Sequence, residues 1–244
     1  MSGSRAKQYP PQNGQYAVVV KNGARWTNYD IARLQISVGQ EYHESEKLRA
    51  TFNWASHRFE KIIICVNDTL QRFNLEHDGY TPEEAFRISQ ERGDEWLKRN
   101  ADLIASIPNT EIFRWEDWKA KPEYQKSLEE AESKYKTDSS FRREVDTEIE
   151  AFWLRKKKRE GLNSDFGFHK FKKFSLPYLL EEIAVFPLMF ERNRAVDVYP
   201  GSTLLPCKLS DTRDLGQRGF TRIDFRRNER PEIKHKELMH HQIA

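Results

Sequence analysis

Short apolar runs alternate along this chain with longer segments of helical periodicity. The runs at 16–20, 32–37 and 61–67 have the length of β-strands, and the third holds five apolar residues in succession. Such a run is typical of a central parallel strand that is buried on both faces. The pattern predicts two further strands, over 111–115 and 197–199, of which the second is the last strand of the core.

The segments between these strands have the periodicity of amphipathic helices. Thr81-Pro82-Glu83-Glu84 is a clear helix start, because it combines an N-cap residue, a proline in the first turn and acids that complement the helix dipole. The predicted helices cover residues 44–60, 82–105, 122–135, 139–158 and 176–190. Strands that alternate with helices predict an α/β fold with a parallel sheet flanked by helices.

Length and composition indicate one folded body with polar ends. The chain has 244 residues, of which 12% are aromatic, enough for one good core. We expect a disordered tail over 1–14, a single domain over 15–225 and a charged tail over 226–244. No apolar run reaches membrane-spanning length and the N-terminus lacks an apolar signal core, so we expect a soluble, cytoplasmic protein without a membrane partner.

Charge and cysteine usage narrow the classes of function. The net charge is only +3, so local clusters must carry any argument for nucleic-acid binding. Two cysteines make neither a disulfide framework nor a metal site, and Cys65 lies in an apolar run that predicts a buried thiol. There is no glycine-rich phosphate loop and no zinc signature. We therefore expect no metal, no ATP and no cofactor.

Polar residues close three of the predicted strands. Ser37, Asn67 and Tyr199 lie at or near carboxyl ends, where parallel α/β sheets bind ligands. Most serines in such a position are structural, and the hydrolase elbow Gly-x-Ser-x-Gly is only half present, because Gln35 replaces the first glycine. No histidine lies between His169 and His235, which disfavours a hydrolase triad. A serine without a histidine can still attack an ester that is already activated.

Two further patterns accompany Ser37. Tyr178 and Glu182 share one face of an otherwise apolar helix, since they are four residues apart. They could form a simple hydrogen-bonded pair, but a carboxylate on a buried helix needs a partner, and a ligand's ammonium group would serve. In Tyr199-Pro200 the proline could merely end a strand, or the phenol could relay a proton.

Basic residues cluster on two predicted helices. The first cluster comprises Arg87, Arg92, Lys98 and Arg99. Acidic residues are interspersed among them, so a solvated face is an equally good interpretation. The second cluster is the run Arg155-Lys156-Lys157-Lys158-Arg159 at a helix C-terminus. The helix dipole explains part of this run, but five consecutive cations exceed what a helix end needs, and RNA phosphates are natural partners.

Taken together and in this order, these motifs resemble the cyclodipeptide synthases over residues 15–225. Those enzymes join the amino acids of two aminoacyl-tRNAs into a cyclic dipeptide. Gln40 and Tyr199-Pro200 look like the subgroup with the Tyr-Pro signature. The matching stretches are Ile36-Ser37-Val38-Gly39-Gln40, Cys65-Val66-Asn67-Asp68-Thr69-Leu70-Gln71-Arg72, Gly93-Asp94-Glu95-Trp96-Leu97-Lys98-Arg99-Asn100, Tyr178 with Glu182, and Tyr199-Pro200.

The resemblance implies a Rossmann-like fold, similar to the catalytic domains of class I aminoacyl-tRNA synthetases but without ATP chemistry. It also implies a ping-pong route. Ser37 takes the first aminoacyl group as an ester, while Tyr178 and Glu182 hold its amino group. A second aminoacyl-tRNA then gives a dipeptidyl-enzyme, and Tyr199 assists the ring closure that releases the product.

The resemblance also assigns binding residues. Cys65 and Asn67 correspond to the family's first aminoacyl pocket, to which Gln35 would add polarity, and Gln40 and Pro200 are further expected substrate contacts. The tRNA contacts that it suggests are Arg87, Lys98 and Arg99, whereas Arg92 and the run Arg155, Lys156, Lys157, Lys158 and Arg159 rest on charge alone. Either Tyr124 or Tyr135 would be a further pocket tyrosine. The expected partners are two aminoacyl-tRNAs, and the expected state is a monomer.

Two alternatives stay open at the level of sequence. One is a tRNA-binding protein without chemistry, and the other is a serine hydrolase that acts on small esters. Dependence on RNA separates the hydrolase from the other two hypotheses. Covalent acylation of Ser37 separates the synthase from the binding protein.

Overall fold

A mixed β-sheet organises the computed structural model, which describes residues 14–23, 26–190, 195–200 and 219–228. The order of its six strands is β1-β6-β5-β2-β3-β4, and every neighbouring pair is parallel except β1 and β6. The strands are β1 (Tyr16–Gly23), β2 (Ile31–Ser37), β3 (Lys61–Asn67), β4 (Thr110–Arg114), β5 (Ala195–Pro200) and β6 (Phe220–Arg227). The predicted Rossmann-like α/β class is confirmed, with an antiparallel edge strand added to the parallel sheet.

Helices cover both faces of this sheet. They are α1 (Ser45–Ser56), α2 (Arg72–His77), α3 (Pro82–Arg99), α4 (Ala101–Ala105), α5 (Trp115–Lys119), α6 (Tyr124–Thr137), α7 (Ser139–Glu160) and α8 (Phe168–Phe190). Short 3-10 turns lie at Trp26–Asn28, Glu41–His43 and Thr69–Gln71. Among the described residues, none of these helices is long and apolar enough to cross a membrane.

Several predicted boundaries differ from the structure. The predicted helix 82–105 is two helices, because the backbone of Asn100 leaves the helical region (φ −104°, ψ 9°) and ends α3. Helix α8 begins at Phe168 rather than 176 and tolerates Pro177 in its interior. The helix predicted over 44–60 ends at Ser56, and α5 was not predicted.

The prediction that 197–199 forms the last core strand is wrong, because β6 follows it and pairs with both β5 and β1. Strand β6 buries Phe220 and Ile223 but carries charged residues towards its end, so its sequence looks like a polar tail. It runs to Arg227, past the expected domain boundary at 225. Residues 1–13 and 229–244 of the two predicted tails lie outside the described residues.

The two faces of the central strands have different chemistry. One face packs Leu34, Ile36 and Val198 into a core with α1 and Trp96. The opposite face carries Cys65 against Met189 of α8, and side chains alternate along a strand, so Ser37 belongs to the α8 side. The carboxyl end of β2 therefore presents Ser37 where the sheet, α8 and the turn at Glu41–His43 meet.

Candidate active site

A cavity of about 960 Å³ lies at the carboxyl ends of β2 and β5. Residues of α2, α3, α7 and α8 form its remaining walls. This is where an α/β sheet of this kind binds its ligand. The four predicted catalytic residues all line it, together with Gln40: Ser37, Tyr178, Glu182 and Tyr199.

Three hydroxyl groups lie in a row, those of Ser37, Tyr199 and Tyr42. Ser37 Oγ is 3.3 Å from Tyr199 Oη, and Tyr199 Oη is 2.8 Å from Tyr42 Oη. Burial raises the pKa of the Tyr199 phenol above its ordinary value, so the phenol is neutral at pH 7. Tyr42 was not among the predicted site residues, because its contact with Tyr199 joins residues that are 157 positions apart.

His43 fixes the backbone of Ser37. The Ser37 N–H donates to His43 Nδ1 at 2.8 Å, and Trp96 Nε1 donates to the His43 carbonyl oxygen at 2.9 Å. Burial lowers the pKa of His43 to about 3, so the ring is neutral and Nδ1 is free to accept. His43 was not among the predicted site residues, and its place in the polar stretch after Ser37 is its only signal in the sequence.

Glu182 is a buried carboxyl group that lines the cavity. It makes no hydrogen bond or ion pair within the described parts of the chain. Burial, followed by repulsion from Glu148 of α7, raises the pKa of Glu182 to about 8. Nearby, Gln71 Nε2 donates to Tyr178 Oη at 3.4 Å, and burial raises the pKa of Tyr178 well above its ordinary value. A buried carboxyl beside a phenol suits a cationic ligand.

A second polar chain lies under the site. Asp197 accepts hydrogen bonds from Arg33 Nε at 2.9 Å and from Gln35 Nε2 at 2.7 Å, and Gln35 Oε1 accepts from Asn67 Nδ2 at 3.3 Å. Because a carboxylate only accepts, Asp197 orients both amides in turn. Asn67 lies beside Ser37 in the β2–β3 register, and its Oδ1 is a buried acceptor with no hydrogen-bond partner among the described residues.

The predicted substrate-binding residues do not all lie at the cavity. Gln40 lines the cavity, whereas Gln35, Asn67, Cys65 and Pro200 do not. Cys65 is fully buried against α8, and Gln35 is occupied with Asp197.

The two predicted basic clusters meet at one cavity. Among the residues that the structure describes, the lysines and arginines that line it are Arg92, Arg99, Arg155, Lys156 and Arg159. Helix α3 supplies the first two and α7 supplies the other three. The remaining predicted cations, Arg87, Lys98, Lys157 and Lys158, do not line the cavity.

Acidic neighbours neutralise most of these cations. The pairs are Arg87–Glu91 (2.7 Å), Arg99–Glu44 (3.2 Å), Arg155–Glu148 (3.4 Å), Lys156–Glu160 (2.9 Å), Lys157–Asp165 (2.9 Å) and Arg159–Glu160 (3.2 Å). Arg92, Lys98 and Lys158 have no acidic partner among the described residues. The arginine side chains of these pairs are more than half exposed. Exposed pairs contribute little to stability, so these arginines can exchange partners with a ligand.

Neither Tyr124 nor Tyr135 is a cavity tyrosine. Tyr124 Oη donates to Glu181 at 3.3 Å, and Tyr135 Oη donates to Asp146 at 2.8 Å. Glu181 also pairs with Arg72 and thereby joins α2 to α8. In the part of the chain that the structure describes, no group of three or more His, Cys, Asp or Glu residues could hold a metal ion.

Fold and site together define a Rossmann-like protein in which a strand-end serine shares a cavity with tyrosines and a buried glutamate. The sequence model of the cyclodipeptide synthase family matches residues 24–211. The chain therefore belongs to the cyclodipeptide synthase family. A search of curated protein sequences gave no match.

Solved structures of this family share the fold. A cyclodipeptide synthase from Fluoribacter dumoffii superposes with a TM-score of 0.77 at 24% identity, over 88% of this chain and all of that one. A Mycobacterium tuberculosis protein, described as showing that cyclodipeptide synthetases are related to type I tRNA synthetases, gives 0.61 at 15% identity over 93% and 99%. The synthase from Candidatus Glomeribacter gigasporarum, solved bound to Phe-tRNAPhe, gives 0.60 at 18% identity over 85% and 92%.

Proposed function

We propose that this protein is a tRNA-dependent cyclodipeptide synthase, an aminoacyltransferase that joins the amino acids of two aminoacyl-tRNAs by a ping-pong route. One observation carries the proposal: the buried carboxyl of Glu182, which has no partner among the described residues, lines the same cavity as Ser37. A nucleophile and an ammonium-binding group in one cavity suit an α-amino ester as the substrate.

In the first half-reaction, Ser37 Oγ attacks the ester carbonyl carbon of one aminoacyl-tRNA. The bond to Oγ forms, the bond to the ribose oxygen breaks, and the serine proton passes to that ribose oxygen. Glu182 and Tyr178 hold the α-ammonium group, which orients the carbonyl towards Ser37. An ester is activated already, so the reaction needs no histidine base.

In the second half-reaction, the α-ammonium group on Ser37 first gives one proton to the Glu182 carboxylate, and the free α-amine then attacks the carbonyl of a second aminoacyl-tRNA. An amide bond forms, the second tRNA leaves with the proton, and a dipeptide stays on Ser37. The free amine of this dipeptide then attacks the Ser37 ester. The six-membered ring closes, the bond to Oγ breaks, and Tyr199, 3.3 Å from Oγ, returns a proton to it.

The basic residues at the cavity support two aminoacyl-tRNAs as partners, because a nucleic-acid backbone is bound chiefly through its phosphates. The related synthase bound to Phe-tRNAPhe supports the same partner class. We further propose that the chain belongs to the Tyr-Pro subgroup and acts as a cytoplasmic monomer. The sequence motif Tyr199-Pro200 and the charged surface are the basis for these assignments.

Mass spectrometry of culture medium tests this function. Cells that express the wild-type chain should release a diketopiperazine, and comparison of its mass, fragmentation and retention time with synthetic standards identifies both amino acids. Ser37→Ala should abolish the product, whereas Ser175→Ala, which removes another serine that lines the cavity, should not. If Ser37→Ala released as much diketopiperazine as the wild-type chain, the mechanism would be excluded. If the wild-type chain bound tRNA but released no diketopiperazine, the result would support the non-catalytic alternative.

A further inference from the structure

Tyr42 stands directly behind Tyr199 as seen from Ser37. Its Oη lies 2.8 Å from Tyr199 Oη, and its ring packs edge-on against the Tyr199 ring with centroids 5.8 Å apart. Tyr42 also lines the cavity. We propose that Tyr42 is a positioning residue for the reaction, which holds the Tyr199 phenol against Ser37; this inference rests on the proposed function.

The turn that carries Tyr42 is held at two points. The His43 carbonyl accepts from Trp96, and the His43 ring accepts from the Ser37 N–H. The Tyr42 ring packs edge-on against that same His43 ring, with centroids 4.6 Å apart. Ser37, Tyr42 and Tyr199 are therefore fixed relative to one another by contacts that do not depend on substrate.

Hydrogen-bond accounting orients the row of hydroxyls. A phenol has one proton and can also accept. Among the described residues, Tyr199 is the hydrogen-bond partner of Tyr42 Oη. If Tyr42 donates to Tyr199, the phenolic protons of both residues can be used in hydrogen bonds. The proton of Tyr199 itself is then free for Ser37 Oγ. The opposite arrangement would direct that proton away from the serine.

This orientation matters when the ring closes. The ester bond to Ser37 Oγ breaks, Oγ takes the phenolic proton of Tyr199, and the resulting phenolate takes the proton that the attacking amine gives up. During that exchange Tyr42 donates a charge-assisted hydrogen bond to the phenolate. Bonds to charged groups are stronger than bonds between neutral ones, so loss of the Tyr42 hydroxyl should slow turnover about 10- to 100-fold.

A double-mutant cycle tests the proposal with the two aminoacyl-tRNAs that the product identifies. Tyr42→Phe should lower kcat by that factor and leave KM for tRNA within about twofold. In a Tyr199→Phe background the same substitution should have an effect of less than about twofold, because Tyr42 acts through Tyr199. The matched control is Tyr135→Phe, which removes a phenol hydrogen bond outside the cavity and should leave kcat unchanged.

Two results would overturn the inference: an unchanged kcat in Tyr42→Phe, or a full effect of that substitution in the Tyr199→Phe background. A readout without turnover keeps it distinct from the proposed function. In protein with ¹³Cζ-labelled tyrosine, Tyr42→Phe should shift the Tyr199 resonance, which is assigned by its loss in Tyr199→Phe. If no product forms with any tRNA, the proposed function fails, while a shifted resonance supports the contact and an unshifted one refutes it.

Discussion

The cavity has two parts that are built in different ways. The floor consists of Ser37, Tyr178, Glu182 and Tyr199, which come from β2, α8 and β5. The mouth consists of Arg92, Arg99, Arg155, Lys156 and Arg159, on α3 and α7. The floor contains the carboxyl group of Glu182, which no cation among the described residues balances, whereas most cations of the mouth already have an acidic neighbour.

This difference sets how much each group can contribute. A charge interaction in a buried site is much stronger than the same interaction in water. An exposed pair is worth about 0–1 kcal/mol. Single substitutions in the floor should therefore have large effects, and substitutions in the mouth should have small effects that accumulate.

Glu182→Gln should cause the largest change among the variants that keep Ser37. The amide cannot pair with the α-ammonium group in a buried site, so kcat/KM should fall about 100- to 1000-fold. Glu95→Gln is the matched control, since Glu95 lines the cavity but is exposed and pairs only loosely with Arg99 at 3.9 Å. A Glu182→Gln enzyme that keeps wild-type kcat/KM would remove the distinction between floor and mouth.

The same substitution has a signature in stability. The pKa of Glu182 is raised from an ordinary 4.5 to about 8, so between these values the folded state binds more protons than the unfolded state. Stability is therefore lost as the pH rises through this window, by at most about 5 kcal/mol. Glu182→Gln should gain stability relative to wild type at pH 8 but not at pH 4.5. Urea unfolding at both pH values measures this, and equal differences would contradict it.

The floor was largely predictable from sequence, for physical reasons. The five consecutive apolar residues of β3 identify an interior strand of the sheet. Strand-end residues of a parallel sheet converge on one edge. The i, i+4 spacing of Tyr178 and Glu182 put both on one helix face. The roles of Tyr42 and His43 could not be predicted from the sequence. Their hydrogen-bond partners depend on the close approach of β2, β5 and the turn between β2 and α1.

The mouth was only half predictable. Clusters of cations are visible in the sequence, but their ion pairs and their directions depend on how α3 and α7 are rotated. The four predicted cations Arg87, Arg92, Lys98 and Arg99 share helix α3, yet of these four only Arg92 and Arg99 line the cavity. Strand β6 was not predicted, because its charged end does not look like part of a strand in the sequence. Only its place near the edge of the sheet explains these charges.

Charge reversal in the mouth should have the next largest effect. We expect Arg92→Glu with Arg159→Glu to raise KM for aminoacyl-tRNA about 10-fold and to reduce the salt dependence of binding, with kcat within about twofold. The control pair is Arg87→Glu with Lys157→Glu, which changes net charge equally outside the cavity. Titrations of binding against NaCl compare the two. Equal weakening by both pairs would mean that net charge, rather than the mouth, attracts the tRNA.

The smallest effect on activity should come from a substitution that displaces helix α3. Gly93 of α3 packs against the end of β3, where a Cβ atom would clash with the Asp68 carboxylate and lie 2.8 Å from Arg114 Nη2. Neither group can move freely, because Asp68 pairs with Arg114 and also accepts from the Thr69 N–H. Gly93→Ala should therefore destabilise the fold by about 1–3 kcal/mol, despite the better helix propensity of alanine.

Urea unfolding of Gly93→Ala measures this cost, with Gln90→Ala as the control because Gln90 is exposed on the same helix. The clash displaces α3, which supplies Arg92 and Arg99 to the mouth, but no floor residue belongs to that helix. At a temperature where the variant is folded, KM should therefore rise a few-fold while kcat stays near wild type. A fall in kcat with unchanged KM would show that α3 supports the floor through Trp96 and His43, and that floor and mouth are one unit.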